Sequence, residues 1–124
     1  MKAGEITEQI KLFTWAKMRE NTIPQLRLLY HIPNEGKRTQ SGGQILKAAG
    51  LKSGVPDICL PVSRRGYNAL YIELKYGNNK PTKAQVAFMK ALQEEGAKVA
   101  VCYLAEEARD LILFYLAQND SLNI

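Results

Sequence analysis

Asp57 and the tripeptide Glu73-Leu74-Lys75 lie sixteen positions apart, each on its own short apolar run. Two carboxylates delivered by adjacent strands, with a lysine two residues past the second, suit one kind of chemistry. The acids can share a divalent cation of the Mg²⁺ type, which wants hard oxygen ligands and keeps several waters. The ammonium can orient or deprotonate one of those waters, or stabilise charge on a phosphorane-like transition state. Such a group hydrolyses phosphodiesters. In an extended strand Tyr71, Glu73 and Lys75 share a face, with Glu73 and Lys75 about 7 Å apart, while Ile72 and Leu74 point into apolar packing. The backbone carbonyl of Leu74 is a third candidate ligand. Each half has a plainer reading alone, since Glu-x-Lys is a common surface ion pair and Pro-Asp often just opens an element. The combination on consecutive strands, approached through Gly54, shifts the weight to a site.

The elements that must position these residues follow from pattern. Residues 4–20 read as an amphipathic helix with Ile6, Ile10, Phe13 and Lys17/Met18 on its apolar stripe and Glu5, Glu8 and Lys11 off it. Pro24 ends that segment, and LRLLYHIP (26–33) reads as a strand. NEGKRTQSGG (34–43) is polar and glycine-rich, hence a loop, and QILKAAG (44–50) is a short helix stopped by Gly50. DICLPV (57–62) and ALYIELKY (69–76) form an antiparallel hairpin around SRRGYN. Thr82 can N-cap a helix to about Glu95, with Gly96 just after it. KVAVCYL (98–104) reads as a strand buried on both faces, and AEEARDLILFYLAQ (105–118) as a closing amphipathic helix whose stripe Leu111, Ile112, Phe114 and Tyr115 is most simply core, any exposed portion of it being a candidate dimer interface. The order α-β-α-β-β-α-β-α predicts an α/β fold, a mixed sheet flanked by helices, with the strands at 69–76 and 98–104 parallel across a right-handed crossover.

Bulk properties limit the alternatives. A chain of 124 residues is expected to form one domain over 1–124, its core spanning about 4–117. Lys+Arg 17 against Asp+Glu 12 leaves a charge of +5, which permits a polyanionic partner without requiring one. Cys59 and Cys102 lie inside apolar runs, with no CxxC partner or nearby histidine for zinc, so they read as buried thiols of a cytoplasmic protein. The N-terminus has no signal-peptide core, and no stretch approaches the roughly 18 apolar residues that span a bilayer.

With these elements laid out, Gly54-Val55-Pro56-Asp57 followed by Glu73-Leu74-Lys75 resembles the PD-(D/E)xK nuclease superfamily, with the restriction-endonuclease-like fold that this implies. Within it the chain resembles the virus-type replication-repair nuclease (VRR-NUC) domain. GEITEQIKLFTWA is similar to that family's opening helix, with Glu5 and Gln9 one turn apart. HIPNEGKR is similar to its Ile-Pro-Asn-Gly-Gly loop, departing at Glu35, where the family has a small residue. LKAAGLKSGVPD is similar to its Lys-x-x-Gly-x-x-x-Gly-x-Pro-Asp run, and PTKAQVAF to its Leu-Ser-Pro-Glu-Gln-Lys segment.

The resemblance implies roles. Asp57 and Glu73 are the principal ligands of Mg²⁺ or Mn²⁺, Lys75 is the catalytic lysine, and Gln85 reaches back to the site from its helix. A helix-1 glutamate adds a carboxylate; Glu5 is favoured by its spacing to Gln9, and Glu8 competes for the role. Either could instead be a charge favoured by the helix dipole. Asn34, Lys37, Arg38, Lys47 and Lys52, with Arg64 and Arg65, are candidates for DNA phosphate contacts, which position DNA without reading sequence. His31, the only histidine, reads as a packed or hydrogen-bonded residue rather than a base. The implied activity is that of a DNA endonuclease of phage or mobile-element type. It would act on branched or flapped DNA, with Holliday-junction resolution by a homodimer foremost and flap cleavage, nicking or non-catalytic DNA binding as alternatives. A two-fold dimer fits paired cuts in a four-way junction.

Overall fold

A computed structural model describes residues 3–33 and 40–117. The elements run α1 (Ala3–Arg19), a 3₁₀ turn (Pro24–Leu28), β1 (Tyr30–His31), α2 (Gln40–Ala48), β2 (Ile58–Leu60), β3 (Leu70–Leu74), α3 (Lys83–Glu94), β4 (Lys98–Cys102) and α4 (Ala105–Ala117). The strands lie in the order β1-β2-β3-β4, with β1, β2 and β3 antiparallel in turn and β4 parallel to β3. This is the mixed sheet flanked by helices, in the α-β-α-β-β-α-β-α order that the sequence pattern predicts.

The β2–β3 hairpin sets the geometry of everything that follows. Arg64 and Tyr67 exchange backbone hydrogen bonds of 3.0 and 2.9 Å around Arg65 (φ 49°) and Gly66 (φ 87°), a two-residue loop whose two central residues are both left-handed. The register pairs Leu60 with Leu70, Cys59 with Tyr71 and Ile58 with Ile72. One further step along the same register sets Asp57 opposite Glu73; this ladder is offset by one residue from the Arg64–Tyr67 pair at the loop, which by itself would set Asp57 opposite Leu74. Leu70, Ile72 and Leu74 project to one face and, with Ile58 and Leu60, are buried against Leu12 and Ala16 of α1 and Ala108 and Ile112 of α4. Each of the buried leucine and isoleucine side chains contributes about 1.5–3 kcal/mol by leaving water. Tyr71 and Glu73 project to the other face, where α3 packs beside β4.

Helix ends follow their local signals. Gly50 (φ 111°) and Gly96 (φ 99°) close α2 and α3 in the left-handed conformation. At each of them the next residue's N–H reaches five residues back, Leu51 to the Leu46 carbonyl (2.8 Å) and Ala97 to the Leu92 carbonyl (3.0 Å).

Five expectations are corrected. The apolar stripe of α1 is not its buried face: Ile6, Ile10 and Met18 are exposed, and Glu5, Glu8, Leu12 and Ala16 are buried. The two glutamates have specific partners or neighbours inside, which hydrophobic periodicity does not register. Residues 26–29 are not strand, because Pro24 opens a 3₁₀ turn whose three-residue period buries Leu26 and Leu29 together. α2 begins at Gln40 rather than 44, running through Gly42-Gly43, since glycine lowers helix propensity by about 1 kcal/mol without forbidding the conformation. β4 is an edge strand, so Lys98 to Val101 are only half-buried and Cys102 alone is buried; likewise Phe114 on α4 is exposed.

Candidate active site

Asp57 is held by its backbone before its side chain does anything. Its carbonyl accepts from Ile32 N–H at 2.7 Å, and His31 Nδ1 lies 2.9 Å from the same oxygen. Its Oδ2 accepts from the Leu74 backbone N–H at 2.8 Å, just past the last pair of the β2–β3 ladder. His31 therefore steadies the strand that delivers Asp57, in keeping with its reading as a hydrogen-bonded residue.

Glu73 is 2% exposed, and its two oxygens differ sharply. Oε2 accepts from Gln85 Nε2 at 2.8 Å and lies 3.4 Å from Lys75 Nζ. Oε1 is buried with no hydrogen-bond partner among the described residues. Burial, and then the nearby Asp57 charge, push the Glu73 carboxyl up to about 7. Burial likewise raises Asp57, against the Leu74 N–H, and the Glu5 charge adds to the shift in both acids. Glu5, Asp57 and Glu73 thus form a patch of mutually repelling carboxylates, with Lys75 as the cation among them.

Gln85 reaches this patch because its position is fixed twice. Thr82 Oγ1 accepts from Gln85 N–H (3.2 Å), and Gln85 Oε1 accepts from Thr82 N–H (2.8 Å), a capping box that leaves the amide NH₂ free to face Glu73. Close approach by Gly54 positions the same turn: at φ 89°, a Cβ on Gly54 would sit 2.5 Å from the Ala84 carbonyl oxygen. Similarly, a Cβ on Gly4 would meet the Tyr76 ring at 2.5 Å, so glycine lets the first turn of α1 lie against the exit of β3 and bring Glu5 in.

The two helix-1 glutamates part company here. Glu8 Oε1 accepts from the buried Ala105 N–H at 2.7 Å, at the start of α4, and Oε2 pairs with Lys11 at 3.1 Å. The Ala105 N–H holds the Glu8 carboxyl below its ordinary range. Glu8 is a clasp between α1 and α4, placed where a helix N-terminus favours an anion. Glu8→Ala strands the buried N–H, so it should lower stability by about 1–3 kcal/mol in thermal melts while the folded variant keeps its activity. Glu5→Ala should do the opposite, impairing activity with little loss of stability.

The remaining candidates are more dispersed. Lys47, in the last turn of α2, and Lys52, in the loop after it, are exposed and have no ion-pair partner among the described residues. Arg64 and Arg65 lie at the hairpin loop, at the other end of β3 from Glu73. Asn34, Lys37, Arg38 and Glu35 lie outside the described residues.

The donor set fits a hard divalent cation. Glu73 Oε1 is an orphaned buried oxygen, and Asp57 faces it across the hairpin. Among the described residues no three acidic, histidine or cysteine side chains converge into a ready-made cluster. The protein would therefore supply two carboxylates and leave the rest of the shell to water and backbone, the arrangement that Mg²⁺ tolerates best.

Comparison with known proteins agrees with the geometry. The family model described as the VRR-NUC domain matches residues 13–106, a span that includes Asp57, Glu73, Lys75 and Gln85. A solved structure described as a VRR_NUC domain protein superposes with a TM-score of 0.82 at 25% identity, covering 97% of this chain and 93% of that one. No curated protein matches the chain. No helix among the described residues is long and apolar enough to cross a membrane. The fold is thus the restriction-endonuclease-like α/β fold, and the chain belongs to the VRR-NUC family of nuclease domains, within the PD-(D/E)xK superfamily.

Proposed function

We propose that this nuclease is a divalent-metal-dependent DNA endonuclease, using Mg²⁺ or Mn²⁺, with the whole chain acting as one catalytic domain. The observation that carries the reading is the asymmetric environment of Glu73, one oxygen saturated by Gln85 and Lys75 and the other buried without a donor. When bound, the cation supplies Lewis acidity and a water acidified for attack at neutral pH. Asp57, Glu73 and the Leu74 carbonyl hold it, and Glu5 adds negative charge from α1. Gln85 fixes the rotamer of Glu73 so that Oε1 keeps its direction. Lys75 orients the attacking water, takes its proton or offsets charge on the phosphate, and needs only the small reach of its present position. Lys47 and Lys52, with Asn34, Lys37 and Arg38, contribute phosphate contacts that position the duplex.

The preferred substrate is branched DNA, with Holliday-junction resolution by a homodimer of phage or mobile-element origin as the leading form and flap or nicking activity as the second. The exposed Ile6, Ile10 and Met18 row on α1 supports self-association. Labelled four-way junction, flap and linear duplex of equal length should be cut in that order of rate with Mg²⁺ present. Equal rates on all three would remove the claim of structure specificity, and a monomeric profile in size exclusion would remove the resolvase form.

A further inference from the structure

A second cleft lies at the end of the sheet away from Glu73. It encloses about 360 Å³ and is lined by Arg65, Tyr67, Lys98, Leu111, Phe114 and Tyr115. Its walls are the β2–β3 hairpin loop, the first residue of β4 and the second half of α4. The back of the cleft is firmly built: Tyr115 donates its hydroxyl to the Val62 carbonyl at 2.6 Å, and its ring lies 6.5 Å from that of Tyr67. Lys98 Nζ sits 5.7 Å from the centre of the Tyr67 ring. Two cations line this space and no carboxylate does.

Two residues are unusual for their positions. Phe114 is 66% exposed although it sits beside a core-forming face of α4. Arg65 is the one non-glycine among the described residues with a positive φ, at a loop position that glycine or asparagine fills without strain. A strained arginine beside an exposed phenylalanine and a lysine-capped tyrosine is the chemistry that recognises a stacked base and its flanking phosphates.

We propose that this cleft is a second nucleic-acid contact that takes a single-stranded segment, a base stacking on Phe114 and Tyr67 and phosphates meeting Arg65 and Lys98. The inference rests on nucleic acid being the substrate but needs no cleavage. Leu70 and Glu73 are about 10 Å apart along β3, and Tyr67 lies before the start of that strand, so the cleft holds a strand leaving the cut and not the scissile phosphate. Stacking needs an open base face, which single strands offer and intact duplex does not.

The test is fluorescence anisotropy of a labelled oligothymidylate with the full chain in EDTA. Wild type should bind. Phe114→Ala and Arg65→Gly should each weaken binding about tenfold. Arg65→Gly should also flatten the salt dependence while melting no earlier than wild type, because glycine relieves the loop. Leu28→Ala, which removes an apolar side chain 50% exposed on the 3₁₀ turn, should leave affinity unchanged. The proposal fails if wild type does not bind the oligomer or if both cleft variants bind as tightly as wild type. It fails equally if they alter oligomeric state with affinity intact, which would mark the cleft as a protein contact. A protein that binds the oligomer in this pattern yet cuts no DNA supports the cleft and overturns only the reading of the active site.

Discussion

Lys75→Ala should lower the rate of DNA cleavage by on the order of 10³-fold, and Asp57→Ala at least as far, with neither protein unfolded. Lys75 is buried beside Glu73 at 3.4 Å, just past the end of β3, and its charge bears on both Asp57 and Glu73. Alanine there removes the group that handles the water's proton and leaves the two acids without a nearby ammonium. Asp57 faces Glu73 across the hairpin, so its loss halves the carboxylate pair. Both variants keep the hydrophobic face of β3, Leu70, Ile72 and Leu74, so circular dichroism and melting should report a native fold. Single-turnover rates on a labelled junction check the effect; a loss below tenfold for both would mean that the chemistry resides elsewhere.

Glu73→Gln should abolish metal-dependent cleavage and, in metal-free buffer, raise stability at pH 8 by on the order of 2–3 kcal/mol. The sign follows from the direction of the shift. Glu73 has a folded value of about 7 against an ordinary 4.5, so the folded state binds its proton more tightly than the unfolded chain does. That contribution is fully present below about pH 4.5 and is lost as pH rises through 7, where folding must carry a buried charge. Glutamine carries no such charge, so the variant's advantage should vanish near pH 4. Mg²⁺ should stabilise wild type more at pH 8 than at pH 6, because cation and proton compete for one carboxylate. Chemical denaturation at three pH values, with and without Mg²⁺, checks the sign; a wild type that gains stability from pH 5 to 8 relative to Glu73→Gln contradicts it.

How much of this was legible in the sequence depends on whether the cause was local. The hairpin was, because SRRGYN marks a turn between two apolar runs; the opposition of Asp57 and Glu73 was not, because the ladder is offset by one residue from the Arg64–Tyr67 pair at the loop, and an unbroken two-residue hairpin would set Asp57 opposite Leu74. Thr82 and Gly96 marked α3 by local signals. Gln85 was readable only by resemblance, since a capping-box glutamine normally finishes its hydrogen bonding at the cap, and its amide reaches Glu73 through tertiary packing. The buried face of α1 was not legible. Glu8 is buried to meet the Ala105 N–H, 97 residues away, and Glu5 to join the acids of β2 and β3, while Ile10 and Met18 stay outside. Hydrophobic periodicity assumes that charge faces water, and here two glutamates have better partners within. The loss of strand at 26–29 has a local cause after all: Pro24 at the start of a 3₁₀ turn, overshadowed by a run of leucines.

The central claim is that Asp57 and Glu73 together hold a divalent cation that cleavage requires. Isothermal calorimetry of Mn²⁺ with wild type, Asp57→Asn and Glu73→Gln at pH 8 tests it most directly, independently of any DNA. Wild type should bind Mn²⁺ with a defined stoichiometry, and each variant should lose at least about tenfold in affinity, by analogy with the loss seen on removing a ligand's supporting contacts. Equal Mn²⁺ affinity in all three proteins would contradict the account.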